Sequence, residues 1–182
     1  MSPAAGANAE APRGIGRPVD DSTYRAVCEF LYSEAELLAS RDYRRWLELL
    51  APDLSYRIPL QQFDKRGEER RYGDDPAWFD ETRDSLCIRV EQLLHPQSNA
   101  DRVPSFLRYL VTNILARETP DGLAVSSQVL LIRMRANNPQ PFLLSGARQD
   151  LLRSSAAGLQ LARREVRLDM PLIDSPNLAF FL

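Results

Sequence analysis

Few residues in this chain are of a type that binds transition metals or does redox chemistry. Its 182 residues include one histidine, His95, and two cysteines, Cys28 and Cys87. A Rieske iron–sulfur cluster needs two cysteines and two histidines, and a non-haem iron facial triad needs two further histidines and a carboxylate. A zinc site of Cys and His normally needs at least three clustered ligands. We therefore expect neither a metal nor a cofactor in this chain.

Acid–base catalysis is the other chemistry that the residue types allow. The candidate groups are Tyr32, Glu34, Asp53, Tyr56 and His95. Glu34 falls on the apolar stripe of a predicted helix, where a carboxylate needs a partner or a raised pKa. It is either a general base or, as we favour, a carboxylate paired to an arginine or bonded to backbone N–H groups. His95 titrates near neutrality, but its place at a predicted helix end favours a helix-capping role.

Three helices are predicted in the first half of the chain. The first begins near Asp21 or Ser22, which are both good N-caps and precede a run with helical spacing. The second is short and is capped by Asp42. The third is predicted to begin at Asp75-Pro76, since Asp is a good N-cap and Pro suits the first helical position, and to end near His95.

One short strand is predicted between the second and third helices. Leu54, Tyr56 and Ile58 alternate with polar residues, which is typical of a half-buried strand. Pro59 is predicted to end it. Residues 60–75 are highly charged with few apolar positions, so we expect a surface loop or hairpin.

The second half of the chain changes to a period of two. Strands are predicted from Phe106, Val125, Phe142 and Gly158, with a possible bulge at Gly146. Consecutive long strands with short breaks predict an antiparallel meander, which must twist and curl around the helices. In the first of these strands, one face is predicted to carry Phe106, Arg108, Leu110, Thr112 and Ile114.

Composition and charge limit the class of protein. Hydrophobic residues make up 44% and charged residues 26%, which is typical of a globular chain. The net charge of −2 gives no global basic excess of the kind that binds nucleic acid. The sequence has no apolar run of membrane-spanning length and no signal-peptide pattern, so we expect a cytoplasmic protein. Residues 1–20 are expected to form a flexible arm and residues 21–182 a single α+β domain.

Eight sequence segments, spread in a particular order over roughly residues 24–182, cover most of the chain. These segments are FLYSEAELL (30–38), WLELL (46–50), DLSYRIP (53–59), FDETRDSLCIRVEQL (79–93), PSFLRYLVTNI (104–114), SGARQDLLR (145–153), GLQLARREVRLD (158–169) and the ending NLAFFL. In order and spacing they resemble the β (small) subunits of Rieske-type aromatic-ring-hydroxylating dioxygenases.

The chain departs from that family's pattern in one strand. Where the family usually has Arg-Thr-Arg-His, this chain has Phe106, Leu107, Arg108 and Tyr109, so that only the second arginine matches. The tryptophan that usually precedes this block is also absent. The sequence therefore leaves the aromatic substrate open.

The resemblance implies a cone-like α+β fold, similar to nuclear transport factor-like proteins and ketosteroid isomerase, with a strongly curved antiparallel sheet around the N-terminal helices. It implies a structural β subunit that supports cis-dihydroxylation of an aromatic compound. The Rieske [2Fe–2S] cluster and mononuclear Fe(II) would lie in a partner α subunit, with electrons from NADH through a reductase. The expected assembly is an α3β3 hetero-hexamer, with self-association as a β trimer.

Two sets of residues follow as candidates, and no catalytic, cofactor or metal residue is expected. The expected subunit-interface residues are Arg108, Arg133, Arg135, Arg148, Arg153, Arg164 and Phe181. The expected residues of a pocket inside the cone are Tyr32, Glu34, Trp46 and Tyr56. The alternative function is a stand-alone dehydratase or isomerase of the cone fold, with the acid–base candidates above, or a small-ligand-binding protein.

Overall fold

A computed structural model describes residues 16–63, 70–95, 105–171, 173 and 180–182, without the side chains of 63 and 70–76. Its elements in chain order are β1 (Arg17–Pro18), α1 (Asp21–Ser40), α2 (Tyr43–Glu48), β2 (Leu50–Phe63), β3 (Arg70–Thr82), α3 (Arg83–Leu94), β4 (Ser105–Thr119), β5 (Gly122–Arg135), β6 (Asn138–Ser155) and β7 (Gly158–Leu168).

One seven-stranded sheet curves around the helices in the strand order β1-β4-β5-β6-β7-β2-β3. Strands β4 to β7 form the predicted antiparallel meander. Strand β2 adds to β7 in parallel and to β3 antiparallel, so the sheet is mixed rather than purely antiparallel. The α+β cone class is confirmed, and the core lies between the helices and the inner face of the sheet.

The first two helices begin near the predicted positions, although α1 is capped by Asp20 rather than by Asp21 or Ser22. The Asp20 carboxylate accepts a hydrogen bond from the Thr23 amide at 2.7 Å and caps α1, and Asp42 caps α2. The α1 helix is capped at its C-terminus by Arg41. This residue is in the left-handed conformation, and its backbone N–H donates to carbonyl oxygens of the last turn. No helix in the described part of the chain is long and apolar enough to span a membrane.

The predicted start of α3 at Asp75-Pro76 is wrong. Residues 70–82 form β3, and the helix starts at Arg83 after a capping box between Thr82 and Ser85. Strand β3 is the edge strand of the sheet, where a proline costs no central hydrogen bond. Pairing with β2 therefore overrides the local capping signal.

The predicted end of the strand at Pro59 is wrong, whereas the hairpin alternative for residues 60–75 is confirmed by the antiparallel pairing of residues 61–63 with residues 70–72. Strand β2 continues through Pro59 to Phe63, with irregular register on either side of the proline. A proline lacks the N–H that a regular ladder needs, so it disturbs the pairing without ending the strand. Residues 64–69 lie outside the described residues.

Strand β4 contains a β-bulge that the sequence did not predict. The β4–β5 register shifts between Thr112 and Leu115, and Asn113 there has a φ of 53°. Asn tolerates this left-handed conformation better than most residues. The inserted residue turns Ile114 to the buried side, whereas the alternation predicted it on the face of Phe106.

Gly146 pairs regularly with Val129 and Leu168, so the predicted bulge at this position is wrong. A Cβ atom at Gly146 would lie 2.7 Å from the carbonyl oxygen of Arg167 on β7. This glycine is required by the close approach of two strands rather than by an irregular register.

The predicted N-terminal arm is only partly described, because residues 1–15 lie outside the described residues. Its last part pairs with the sheet, with Arg17 opposite Glu118 and Pro18 opposite Arg117. The described end of the arm therefore adds a short edge strand beside β4.

Candidate functional site

A buried ion-pair network lies at the centre of the cone, and Glu34 of α1 is its first member. The Glu34 side chain is 1% exposed. Arg164 donates to both of its oxygens, from Nη1 to Oε1 at 2.7 Å and from Nη2 to Oε2 at 2.8 Å. Arg148 Nη1 lies 3.4 Å from Oε2, and the Trp46 indole Nε1 donates to Oε1 at 3.2 Å. Glu34 is thus paired to arginines, which is the interpretation favoured from the sequence.

Asp150 is the second carboxylate of the network. Arg164 donates from Nε to its Oδ1 and from Nη2 to its Oδ2, both at 2.8 Å. Arg148 Nε lies 3.9 Å from Asp150 Oδ2 and donates to the Ser127 hydroxyl at 3.2 Å. Two carboxylates and two guanidinium groups balance in charge, which is how buried charges are tolerated. The Nη2 atom of Arg148 is buried and has no hydrogen-bond partner.

The sheet positions three of these four charges. Arg148 and Asp150 are two residues apart on β6, so their side chains point to the same face. Arg164 lies directly opposite Asp150 on β7. The α1 helix then brings Glu34 against this face.

Leu182 lies against the network and bonds to it through its backbone. Its carbonyl oxygen accepts from the Tyr56 hydroxyl at 2.8 Å and from Arg164 Nη1 at 3.1 Å. Its amide lies 2.8 Å from the same Tyr56 oxygen. The backbone of this residue is therefore held by side chains from two strands.

Phe181 fills an aromatic niche beside the network. Its ring stacks on Trp46 with centroids 4.4 Å apart and meets Tyr43 edge-on at 5.3 Å. The guanidinium carbon of Arg89 lies 5.0 Å from the ring centroid, and the Phe181 carbonyl accepts from the Tyr109 hydroxyl at 2.8 Å. Phe180, Phe181 and Leu182 are all buried within this chain.

The network favours the ionised form of Glu34. Burial by itself raises the pKa of Glu34, but attraction to Arg164 and Arg148 and its hydrogen bonds outweigh burial, and the net pKa is lowered. Burial lowers the pKa of Arg164, but Asp150 and Glu34 more than reverse this effect. Burial also raises the pKa of Tyr56, which keeps its hydroxyl protonated. An ionised, fully paired carboxylate is a weak general base.

Three of the four predicted pocket residues meet in the cone, namely Glu34, Trp46 and Tyr56. The prediction for Tyr32 is wrong, because its side chain is 51% exposed on the outer side of α1. Of the other acid–base candidates, His95 is exposed at the C-cap of α3, and Asp53 is exposed and pairs with an arginine.

Some of the predicted subunit-interface residues are buried in this chain and others are exposed. Arg133, Arg148, Arg164 and Phe181 lie in the chain's own interior, so they have no surface to offer another subunit and are removed from that set. The side chains that retain exposed surface are those of Arg108, Arg135 and Arg153.

Sequence reasoning missed Asp150, Ser127 and Tyr109 as members of the site. The available signal was the spacing of Arg148 and Asp150, two residues apart on a predicted strand. Such spacing places opposite charges on one face, but it does not say which face.

The described residues include no group of three or more His, Cys, Asp or Glu side chains that could hold a metal ion. Cys28 and Cys87 are free thiols on different helices, and both are partly buried. With one histidine in the whole chain, the residues present do not fit a Rieske cluster or a two-histidine iron site.

Residues 33–175 match the family described as the ring hydroxylating beta subunit. The chain is 31% identical over 171 residues to the β subunit of biphenyl 2,3-dioxygenase from Rhodococcus jostii (strain RHA1), covering 90% of this chain and 91% of that protein. It is 30% identical over 175 residues to the β subunit of benzene 1,2-dioxygenase from Pseudomonas putida, with coverage of 90% and 91%. It is also similar to a solved structure of naphthalene 1,2-dioxygenase with indole bound in the active site. That match has a TM-score of 0.78 and 27% identity, and it covers 90% of this chain and 88% of that chain.

Proposed function

Because the chain belongs to the ring hydroxylating beta subunit family, we propose that it is the non-catalytic β subunit of an aromatic-ring-hydroxylating dioxygenase. In this role it supports an α subunit that carries out cis-dihydroxylation of an aromatic compound.

The observation that carries the non-catalytic role is the occupied interior of the cone. Glu34 and Tyr56 are the polar candidates that lie inside it, and both are engaged by other groups of this chain. A general base needs a tuned pKa and reach to a substrate, and neither group has them here. The alternative of a stand-alone dehydratase or isomerase is therefore not favoured.

The redox chemistry of such a dioxygenase belongs to other subunits in this proposal. The Rieske cluster and Fe(II) lie in the α subunit, and electrons come from NADH through a reductase. Support comes from the single histidine of this chain, which is too few for either iron site. We further propose an α3β3 assembly in the cytoplasm, with contacts between β subunits.

The exposed strand arginines are the proposed contacts to the α subunit. Arg108 is exposed on β4, beside Phe106, whose side chain is 72% exposed. Arginines suit such surfaces because the planar guanidinium forms two-point bonds to carboxylates. Arg135 and Arg153 are proposed on the same ground, although Arg153 already pairs with Asp53 at 2.7 Å.

The test is co-expression with the α subunit of an aromatic-ring-hydroxylating dioxygenase. Light scattering and iron analysis of the purified product should give a coloured, iron-containing complex with equal subunit ratios. The chain purified alone should be colourless. A chain that does not form a complex with the α subunit and turns over a small substrate by itself would overturn the proposal.

A further inference from the structure

Residues 180–182, here called the tail tripeptide, are held by contacts of the kind that bind a small ligand. The Phe181 ring is stacked on one aromatic ring and contacts another edge-on. The carbonyl oxygens of Phe181 and Leu182 accept hydrogen bonds from side chains. We propose that the cone interior is a binding site for a molecule that combines an aromatic ring with a carboxylate, and that the tail tripeptide occupies this site in cis. The proposal goes beyond the β-subunit function and does not depend on it.

The niche for the ring is built by residues of α2 and α3, and two of them, Trp46 and Arg89, also contact residues outside the tail tripeptide. Trp46 is fully buried, and its indole N–H is bonded to Glu34. Tyr43 precedes it on the same short helix, and Arg89 approaches from α3 while also covering the ring of Phe79. An aromatic floor with a cation nearby favours an electron-rich flat ring.

The acidic end of the proposed ligand would meet Tyr56 and Arg164. The Arg164 guanidinium is held in place by Asp150 and Glu34, so the direction of its Nη1 atom is fixed before any ligand arrives. The Tyr56 hydroxyl lies within hydrogen-bond reach of the same oxygen, the Leu182 carbonyl. Because charge-assisted hydrogen bonds are stronger than neutral ones, a carboxylate oxygen at this position would be held more strongly than the Leu182 carbonyl oxygen.

A second observation supports an additional acceptor in this interior. Arg148 is 1% exposed, yet its Nη2 atom has no hydrogen-bond partner. Buried donors are normally satisfied, and each exception needs an explanation. A hydrogen-bond acceptor on a bound molecule would satisfy this donor.

The first experiment uses a chain that stops after Ala179, with Trp78→Phe so that fluorescence reports Trp46. The probe is N-acetyl-Phe-Leu, which reproduces the ring and the oxygen of the tail tripeptide. We expect saturable quenching, and at least tenfold weaker binding to the otherwise identical full-length chain, because its own tail competes at high effective concentration. A folded truncated chain that does not bind the probe would overturn the proposal.

Matched ligands and one variant test the two halves of the site. N-acetyl-Leu-Leu lacks the ring and N-acetyl-Phe-Leu-amide lacks the charge, and both should bind more weakly to the truncated chain. Tyr56→Phe in the truncated chain should weaken binding of the acid about ten- to a hundredfold, as expected for one lost hydrogen bond to a charged group. Equal binding of the acid and the amide would contradict the carboxylate assignment.

N-acetylphenylalanine separates two sources of the same chemistry. If it binds as well as the dipeptide, the site takes free aromatic acids. If only the dipeptide binds, the site takes the end of a peptide chain. Either result supports the proposal, whereas binding of neither compound overturns it.

Full-length Phe181→Ala covers the case in which the truncated chain does not fold. If the niche is preformed, this variant should take up toluene, detected as a raised melting temperature and a change in Trp46 fluorescence. Phe180→Ala is the matched control, because it removes a neighbouring ring that packs on Phe142 and leaves the stack on Trp46. Failure of Phe181→Ala to bind toluene would show a niche that collapses, which would contradict a preformed site.

Discussion

Glu34 and Arg164 lie 130 residues apart in the sequence and form a two-point ion pair at 2.7 and 2.8 Å in the fully buried centre of the cone. The pair ties α1 to β7, while Asp150 ties the same arginine to β6. A buried pair of this kind contributes little net stability relative to a well-packed apolar pair, but removing one partner leaves an uncompensated charge. Removing Glu34 alone should therefore destabilise the fold more than the net contribution of the intact pair suggests.

Replacing Glu34 with alanine is expected to lower the free energy of unfolding by about 3–5 kcal/mol, because Arg164 and Arg148 would keep unbalanced charge in the core. Urea denaturation measures the change. Glu36→Ala is the control on the same helix: Glu36 is exposed, and we expect a change within about 0.5 kcal/mol. Equal effects of the two variants would contradict the structural role of the network.

The stability of the chain should also depend on pH through Glu34. Its pKa is lowered in the folded state relative to the ordinary value of 4.5, so its ionised form stabilises the fold above about pH 4.5. That contribution is lost as the pH falls below 4.5 and through the lowered pKa of the folded state. The urea midpoint of the native chain should therefore fall more steeply below pH 4.5 than that of Glu34→Gln. Parallel curves for the two proteins would contradict the lowered pKa.

Tyr56→Phe is expected to lower the free energy of unfolding by about 1–3 kcal/mol, because the amide and the carbonyl of Leu182 both lose a partner in the core. Tyr109→Phe is the matched variant, since it removes one hydrogen bond to the Phe181 carbonyl from a half-buried position. It should cost about 0.5–1.5 kcal/mol. Thermal unfolding of the two variants under identical conditions compares them, and a larger loss for Tyr109→Phe would contradict the greater weight given to Tyr56.

Arg108→Glu is expected to weaken assembly with the α subunit at least tenfold without changing the fold, because a reversed charge on an interface costs several kcal/mol. Size-exclusion chromatography of the co-expressed subunits measures the fraction assembled. Arg44→Glu provides a charge-reversal control on α2, where the native arginine is exposed and pairs with Glu91. If Arg108→Glu assembles normally, this arginine is not an interface residue.

Much of the fold could be predicted from the sequence, because it is encoded by local signals. The side-chain cap at Asp42 and the alternation of residues along β4 to β7 depend on neighbours within a few positions. The cone fold and the family followed from the order of segments along the chain. Local signals failed at Asp75-Pro76, where a suitable helix start was overridden by strand pairing at the sheet edge.

The bulge at Asn113 shows a second limit of local reasoning. Strict alternation placed Ile114 with Phe106, but one inserted residue reversed the faces of the rest of β4. A period of two has no tolerance for an insertion, so a single left-handed residue changes which side chains reach the core.

The sequence by itself determined that this chain cannot hold the iron sites of its proposed partner, since one histidine is too few wherever it lies. It also placed Glu34 on an apolar helix face, where some partner was required. Only the tertiary structure decided that the partner is Arg164, that Arg148 turns inward, and that Phe181 stacks on Trp46. The physical reason is that ion pairs and packing act between groups close in space, and the curvature of the sheet brings together residues that are far apart along the chain.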